Sequence, residues 1–154
     1  MLYYEDLEVG AVQQYGRYEV TREEVIEFAS KYDPQPFHLD EEAAARTYFG
    51  RLSASGWHTA AMAMRMIADR FRETGQKGLG SPGIDELRWL KPVYPGDTLT
   101  IESTLTAKRR SQSKPHMGLI WGDTAVLNQN GETVMTYKSM GLVETRDPAG
   151  RDPE

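Results

Sequence analysis

The 154-residue chain has no cysteine, so a disulfide framework, a thiol nucleophile and a cysteine-ligated metal are all excluded. Histidine is scarce as well. The three present are dispersed, without the H-x-x-x-H type of spacing that would argue for zinc. Basic residues are outnumbered by acidic ones, 18 against 23, for a net charge of -5. A dedicated nucleic-acid surface would need a basic face, so no nucleic-acid partner is expected. No apolar run approaches the roughly 20 residues that span a bilayer, and the opening MLYYEDLEVG lacks the basic-then-apolar order of a signal peptide. A cytoplasmic protein with no membrane partner is therefore expected. G-x-G-x-x-G, P-loop and G-x-S-x-G motifs are missing too, which leaves nucleotide cofactors and a hydrolase-type serine without support.

What is present fits one domain with enough apolar residues, 39%, to build a core. Thr21 followed by Glu24 predicts a capping box, in which hydroxyl and carboxylate each satisfy a free N–H at a helix start. Val25, Phe28, Ala29 and Tyr32 then share a helical face. Pro34 and Pro36 end that helix, because proline lacks the N–H and forces its predecessor toward extended angles. Asp40 is placed to cap a second, short helix. From about Trp57 to Thr74 runs a longer helix, apolar nearly all round between Ala60 and Ala68 except for Arg65. That pattern predicts a buried helix, with Met62, Met64 and Met66 as core filling and Gly75 as its C-cap. GQKGLGSPG reads as a flexible loop.

From Ile84 the period becomes two. Leu99, Ile101, Ser103, Leu105 and Ala107 share one face of a strand that follows the tight turn YPGD. HMGLIWGDTAVLN and ETVMTYKSMGLVE predict two more strands joined by the hairpin connection NQNG. Helices first and antiparallel strands after imply an α+β layer fold. A helix so apolar calls for a curved sheet of five or six strands around it, whose edges pairing in a dimer would protect.

Two places carry candidate chemistry. In KYDPQPFHLDEEAA, Asp33 and His38 lie five apart, and the prolines between them can fix the turn that would bring both to one point. A carboxylate and an imidazole together can hold a water, remove one proton and donate another. The plainer reading, Asp33 as a helix-ending turn residue and His38 as packing, is the default for the isolated motif. In SASGWH, Gly56 leaves a backbone N–H open at the positive end of the long helix, where a carbonyl-derived oxyanion would be stabilised. Equally, Gly56 only lets the chain into the helix and Ser55 only caps it. His58, in the first turn, could add a donor there but reads first as structural, as does His116 after Pro115. KRRSQSK (108–114) reads as a solvated inter-strand loop, or alternatively as a contact for the phosphates of a large anionic ligand.

In order, these pieces resemble the MaoC-like dehydratases. YDPQPFHLDEEAA resembles their hydratase signature, roughly G-D-x-N-P-x-H-x-D. FGRLSASGWHTAAM resembles the approach to their central helix, usually written A-H-G, and KPVYPGDTLTIES their P-V-x-x-G-D-x-L strand start. The resemblance implies a hotdog fold over residues 1–146, an antiparallel sheet wrapped around a long central helix. The tail 147–154 is expected to be disordered. It implies a homodimer, or an assembly of dimers, with the active site at the subunit interface. It also implies reversible hydration of a trans-2-enoyl-CoA thioester to a 3-hydroxyacyl-CoA, with no metal or redox cofactor and coenzyme A only as part of the substrate. Asp33 and His38 fall on the catalytic pair, and Gly56 on the glycine whose N–H binds the thioester oxygen. Gln35, Ser55 and Trp57 join the expected substrate-binding residues. Gln35 stands where the family has asparagine, Ser55 where it has histidine, and Met64 near a position where some members carry serine. A hotdog thioesterase and a non-catalytic acyl-thioester binder are the alternatives. The thioesterase would want a carboxylate on the central helix, and none occurs between Trp57 and Ile67.

Overall fold

A computed structural model describes residues 1–149; the last five residues of the expected tail lie outside the described residues. Of that tail, Asp147 is tied down, its carbonyl accepting from the Arg110 guanidinium and the Thr145 hydroxyl. A short 3-10 turn, Tyr4–Asp6, leads into β1 (Val12–Glu19), α1 (Arg22–Tyr32), a second 3-10 turn at Pro36–His38, α2 (Glu41–Ala45) and α3 (Gly56–Thr74). Four strands follow: β2 (Gly78–Trp89), β3 (Thr98–Arg110), β4 (Met117–Leu127) and β5 (Thr133–Glu144). They form one antiparallel five-stranded sheet in the order β1-β3-β4-β5-β2. Its inner face meets α3. Leu99, Ile101, Val126, Val134 and Met135 of the sheet enclose Met62, Ala63 and Met66 of the helix, with Val25 of α1 closing the cluster. This is the sheet-around-helix architecture expected.

Several details depart from expectation. β1 was not foreseen: Gly16, at φ +82°, breaks its alternation with a bulge between Tyr15 and Tyr18. Glycine is required there, because a Cβ would stand 2.7 Å from the Met66 sulfur where the strand crosses α3. β2 begins at Gly78, inside the segment expected as a loop. Three register shifts disguise its period, at Gly78/Gly80, Gly80/Gly83 and Asp85/Arg88. Only the second half of the basic segment, 111–114, is an inter-strand loop, since Lys108 to Arg110 belong to β3. The Lys108 ammonium donates to the carbonyls of Tyr4 and Leu7, and Arg110 pairs with Glu5 at 2.7 Å. Those two cations fasten the N-terminal segment and so do not face an anionic ligand.

α3 is not buried all round. His58, Thr59, Met62, Ala63 and Met66 are buried, while Trp57, Ala61, Met64 and Ala68 face outward. One sheet can cover only one side of a helix, so an apolar strip stays open in the single chain, and Met64 is not core. The turns hold as expected. Asp40 accepts from the Ala43 N–H at 3.0 Å, Gly75 caps α3 at φ +69°, and Gly96 and Gly131 take the positive φ of the YPGD and NQNG turns.

Candidate active site

Asp33 sits where α1 ends, its N–H still bonded to the Ala29 carbonyl. The Gln35 N–H then reaches back to the Asp33 carbonyl at 2.8 Å, closing a tight turn around Pro34. Pro36 starts the 3-10 turn that carries His38 inward. The chain thereby folds a five-residue separation into contact, with His38 Nε2 3.4 Å from Asp33 Oδ2. That is long for a hydrogen bond, so both atoms keep capacity for a third group. His38 is buried, its ring edge against Phe37, and its Nδ1 lies 2.7 Å from the Ser53 carbonyl. A carbonyl only accepts, so Nδ1 carries the hydrogen and Nε2 is the atom left for proton traffic.

Asp33 is held from two further sides. The Ser55 hydroxyl donates to Oδ2 at 2.7 Å and the Gln35 amide to Oδ1 at 2.6 Å. Burial pushes the Asp33 carboxyl up, but these two donors and the nearby His38 outweigh it and hold the group below its ordinary 3.8. Ser55 therefore does not cap α3 with its side chain. Its carbonyl opens the helix by accepting from His58 and Thr59 N–H, while its hydroxyl is turned onto Asp33. Gln35, the departure from the family's asparagine, reaches the same carboxylate.

Gly56 is the first residue of α3, and its α-carbon lies under the Trp89 indole: a Cβ would come within 2.4 Å of that ring. Trp57 is exposed and stands edge-on to Trp89, 5.1 Å between centroids. Trp89 carries no local motif, and only the pairing of β2 with β5 brings it over the start of α3.

Glu24 plays a different part from the one its spacing from Thr21 predicts. Glu24 does not return to Thr21 to complete a capping box; only the Thr21 hydroxyl plays its part, accepting from the Glu24 N–H at 3.3 Å. The Glu24 carboxylate instead accepts from the Tyr18 hydroxyl at 2.5 Å and from His58 Nε2 at 3.0 Å. Among the described residues no three His, Cys, Asp or Glu side chains stand close enough to hold a metal ion, and no helix is long and apolar enough to cross a membrane.

The sequence profile of the MaoC like domain matches residues 8–119. The chain belongs to the MaoC-like family. Over nearly its whole length this MaoC-like protein is similar to the MaoC-like dehydratase of Rhodospirillum rubrum, at 39% identity and TM-score 0.84, covering 96% of this chain and 99% of that one. It is similar also to the (R)-hydratase of A. caviae involved in PHA biosynthesis, at 28% identity and TM-score 0.67, covering 90% and 97%. The sheet wrapped on α3 is thus the hotdog fold. Mesaconyl-CoA hydratase of Cereibacter sphaeroides is 45% identical over 71 residues, 46% of this chain but 20% of that protein. The matched stretch spans only a fifth of that relative's length.

Proposed function

We propose that this MaoC-like protein reversibly hydrates a trans-2-enoyl-CoA to a 3-hydroxyacyl-CoA. The convergence of Asp33 and His38, 3.4 Å apart across a proline-built turn, carries the reading. A water bound by Asp33 and His38 Nε2 adds through its oxygen to the β-carbon while Asp33 takes its proton. His38 delivers a proton to the α-carbon, and the proton gained by Asp33 restores Nε2, which closes the cycle. Charge building on the thioester oxygen is held by the Gly56 N–H at the positive end of α3. The thioester itself acidifies the α-position, so the reaction calls for no metal or redox group, and coenzyme A enters only as the carrier.

The working unit is a homodimer. Two clefts of the single chain, of about 580 and 320 Å3, are lined by neither Asp33, His38 nor Gly56. Trp57 and Trp89, at the start of α3, stand open, as does Met64 two turns further along the helix. A second copy would cover them and wall the site. A thioesterase is disfavoured because the first carboxylate on α3, Asp69, is already paired with Arg65 and Arg72.

The deciding experiment is a hydration assay across short, long and branched trans-2-enoyl-CoA thioesters, following loss of the conjugated absorbance. Turnover on at least one, abolished in Asp33→Asn and His38→Ala, is the expected result. Thioester binding without turnover, unchanged in Asp33→Asn, would assign a binding role instead.

A further inference from the structure

The two elements that meet at the proposed site are α1, which ends at Asp33, and the start of α3, which supplies Ser55 and Gly56. At one end they are joined by the Ser55–Asp33 hydrogen bond. Two α1 turns earlier they are joined again. Glu24 of α1 accepts from His58 of α3 at 3.0 Å, and Phe28 of α1 stacks on the same imidazole, 4.7 Å between centroids at 8°. Tyr18 of β1 donates to the same Glu24 oxygen and so ties the pair to the sheet. The His58 imidazole is only 3% exposed and, among the described residues, has no other hydrogen-bond partner, its Nδ1 being unpaired. Glu24 is the ring's hydrogen-bonding anchor, with Phe28 packed on its face.

We infer that Glu24 is a positioning residue for the site: by holding His58 it fixes where the start of α3 stands relative to Asp33. The inference rests on the hydratase reading for its catalytic consequence but not for its geometry. Three observations support it. First, Glu24 gives up the second half of a capping box whose first half is present, so its carboxylate serves the contact with α3 rather than the helix start. Secondly, His58 follows Gly56 by two residues, within the first turn, so moving the imidazole moves the N–H groups at that helix end. Thirdly, the segment leading into α3 also carries the Ser53 carbonyl that orients His38. A shift there reaches both members of the Asp33–His38 pair. Burial pushes the Glu24 carboxyl up, but the Tyr18 and His58 donors outweigh it and keep it ionised below its ordinary 4.5. Burial and Glu24 together push the Tyr18 phenol up to about 12. The cluster is therefore a carboxylate with two donors, able to hold His58 firmly.

The test uses the full chain with 15N-labelled histidine, at one pH, with His58→Gln and His116→Gln to assign the His38 signal by elimination. In Glu24→Ala the His38 ring signals are expected to move. On whichever thioester the wild type hydrates, kcat is expected to fall about tenfold or more, since displacements near 1 Å are costly to catalysis. KM is expected to change less than about twofold, the mark of an interaction acting in the transition state. Glu24→Gln keeps an accepting oxygen and is expected to restore both readouts. A folded Glu24→Ala whose His38 signals coincide with wild type overturns the inference, whatever its rate, and leaves the cluster as packing. If Glu24→Ala does not fold, Tyr18→Phe, which removes one of the two donors, is read in the same way. A wild type that hydrates no thioester sinks the hydratase reading alone, and the His38 signals still decide the role of Glu24.

Discussion

The hydroxyl of Ser55 donates to Oδ2 of Asp33 at 2.7 Å, and Oδ2 is also the oxygen 3.4 Å from His38. Ser55 is fully buried, so this hydrogen bond is shielded from solvent. A hydrogen bond to a charged group contributes about 1.5–3 kcal/mol. Ser55→Ala is therefore expected to slow hydration by about 10- to 100-fold, at about 1.4 kcal/mol per factor of ten. Steady-state kinetics beside a thermal melt check this. A folded Ser55→Ala with the wild-type rate would show that Asp33 needs no such orientation.

Gln35 holds the other oxygen of Asp33, and its effect is legible in pH. Asp33 is held below 3.8 because its donors outweigh burial. Removing the Gln35 amide leaves burial less opposed, so Gln35→Leu raises that carboxyl. The acid limb of kcat/KM then moves to higher pH. Stability follows the same sign. A carboxyl depressed in the folded state contributes stability that is present above its unfolded value, near 3.8, and is lost as pH falls through the lower folded one. Gln35→Leu is thus expected to narrow the loss on acidification that wild type shows in that window. Rate profiles and melts between pH 3 and 6 are the measurement.

The turn that carries Asp33 and His38 was readable from Pro34 and Pro36, because proline leaves the backbone few choices. β3 was readable from Leu99 and Ile101, which keep a strict period of two with one face in the core. β1 and the first half of β2 were not, since Gly16, Gly78, Gly80 and Gly83 lie in or beside bulged stretches that interrupt the alternation. For α3, composition reports how much apolar surface needs cover, not whether one chain supplies it all. Glu24 shows a further limit. Three residues after Thr21 it satisfies a local motif, yet a tertiary contact with His58 claims its carboxylate. Ser55 likewise looks like a cap, and only the fold brings Asp33, 22 positions away, to its hydroxyl.

The packing of Gly56 under Trp89 and its proposed role at the thioester oxygen can be separated. A Cβ there would collide with the Trp89 indole at 2.4 Å, and it would also crowd any thioester approaching the N–H. Gly56→Ala is expected to destabilise by about 1–3 kcal/mol, as overpacking does, and to abolish hydration. Adding Trp89→Ala makes room for the methyl group. The double variant is expected to regain thermal stability over Gly56→Ala while hydration stays lost. Recovery of rate in the double variant would assign Gly56 to packing alone.

β2 is an edge of the sheet, and nearly every residue along it is exposed. Its exposed side chains include Leu79, Ile84 and Trp89, and Leu90 follows just beyond its end, each 40–55% exposed; on α3, Trp57, which meets Trp89, and Met64 are open as well. A long edge with such side chains is a template for pairing with another chain. Sedimentation equilibrium is expected to give twice the mass of the chain. Ile84→Lys places a charge in the middle of the edge, where burial in a dimer would cost the ammonium its solvation. It is expected to give a folded monomer that has lost hydration, because the site would then lack its second wall. A folded Ile84→Lys monomer with the wild-type rate would show that one chain holds the whole site.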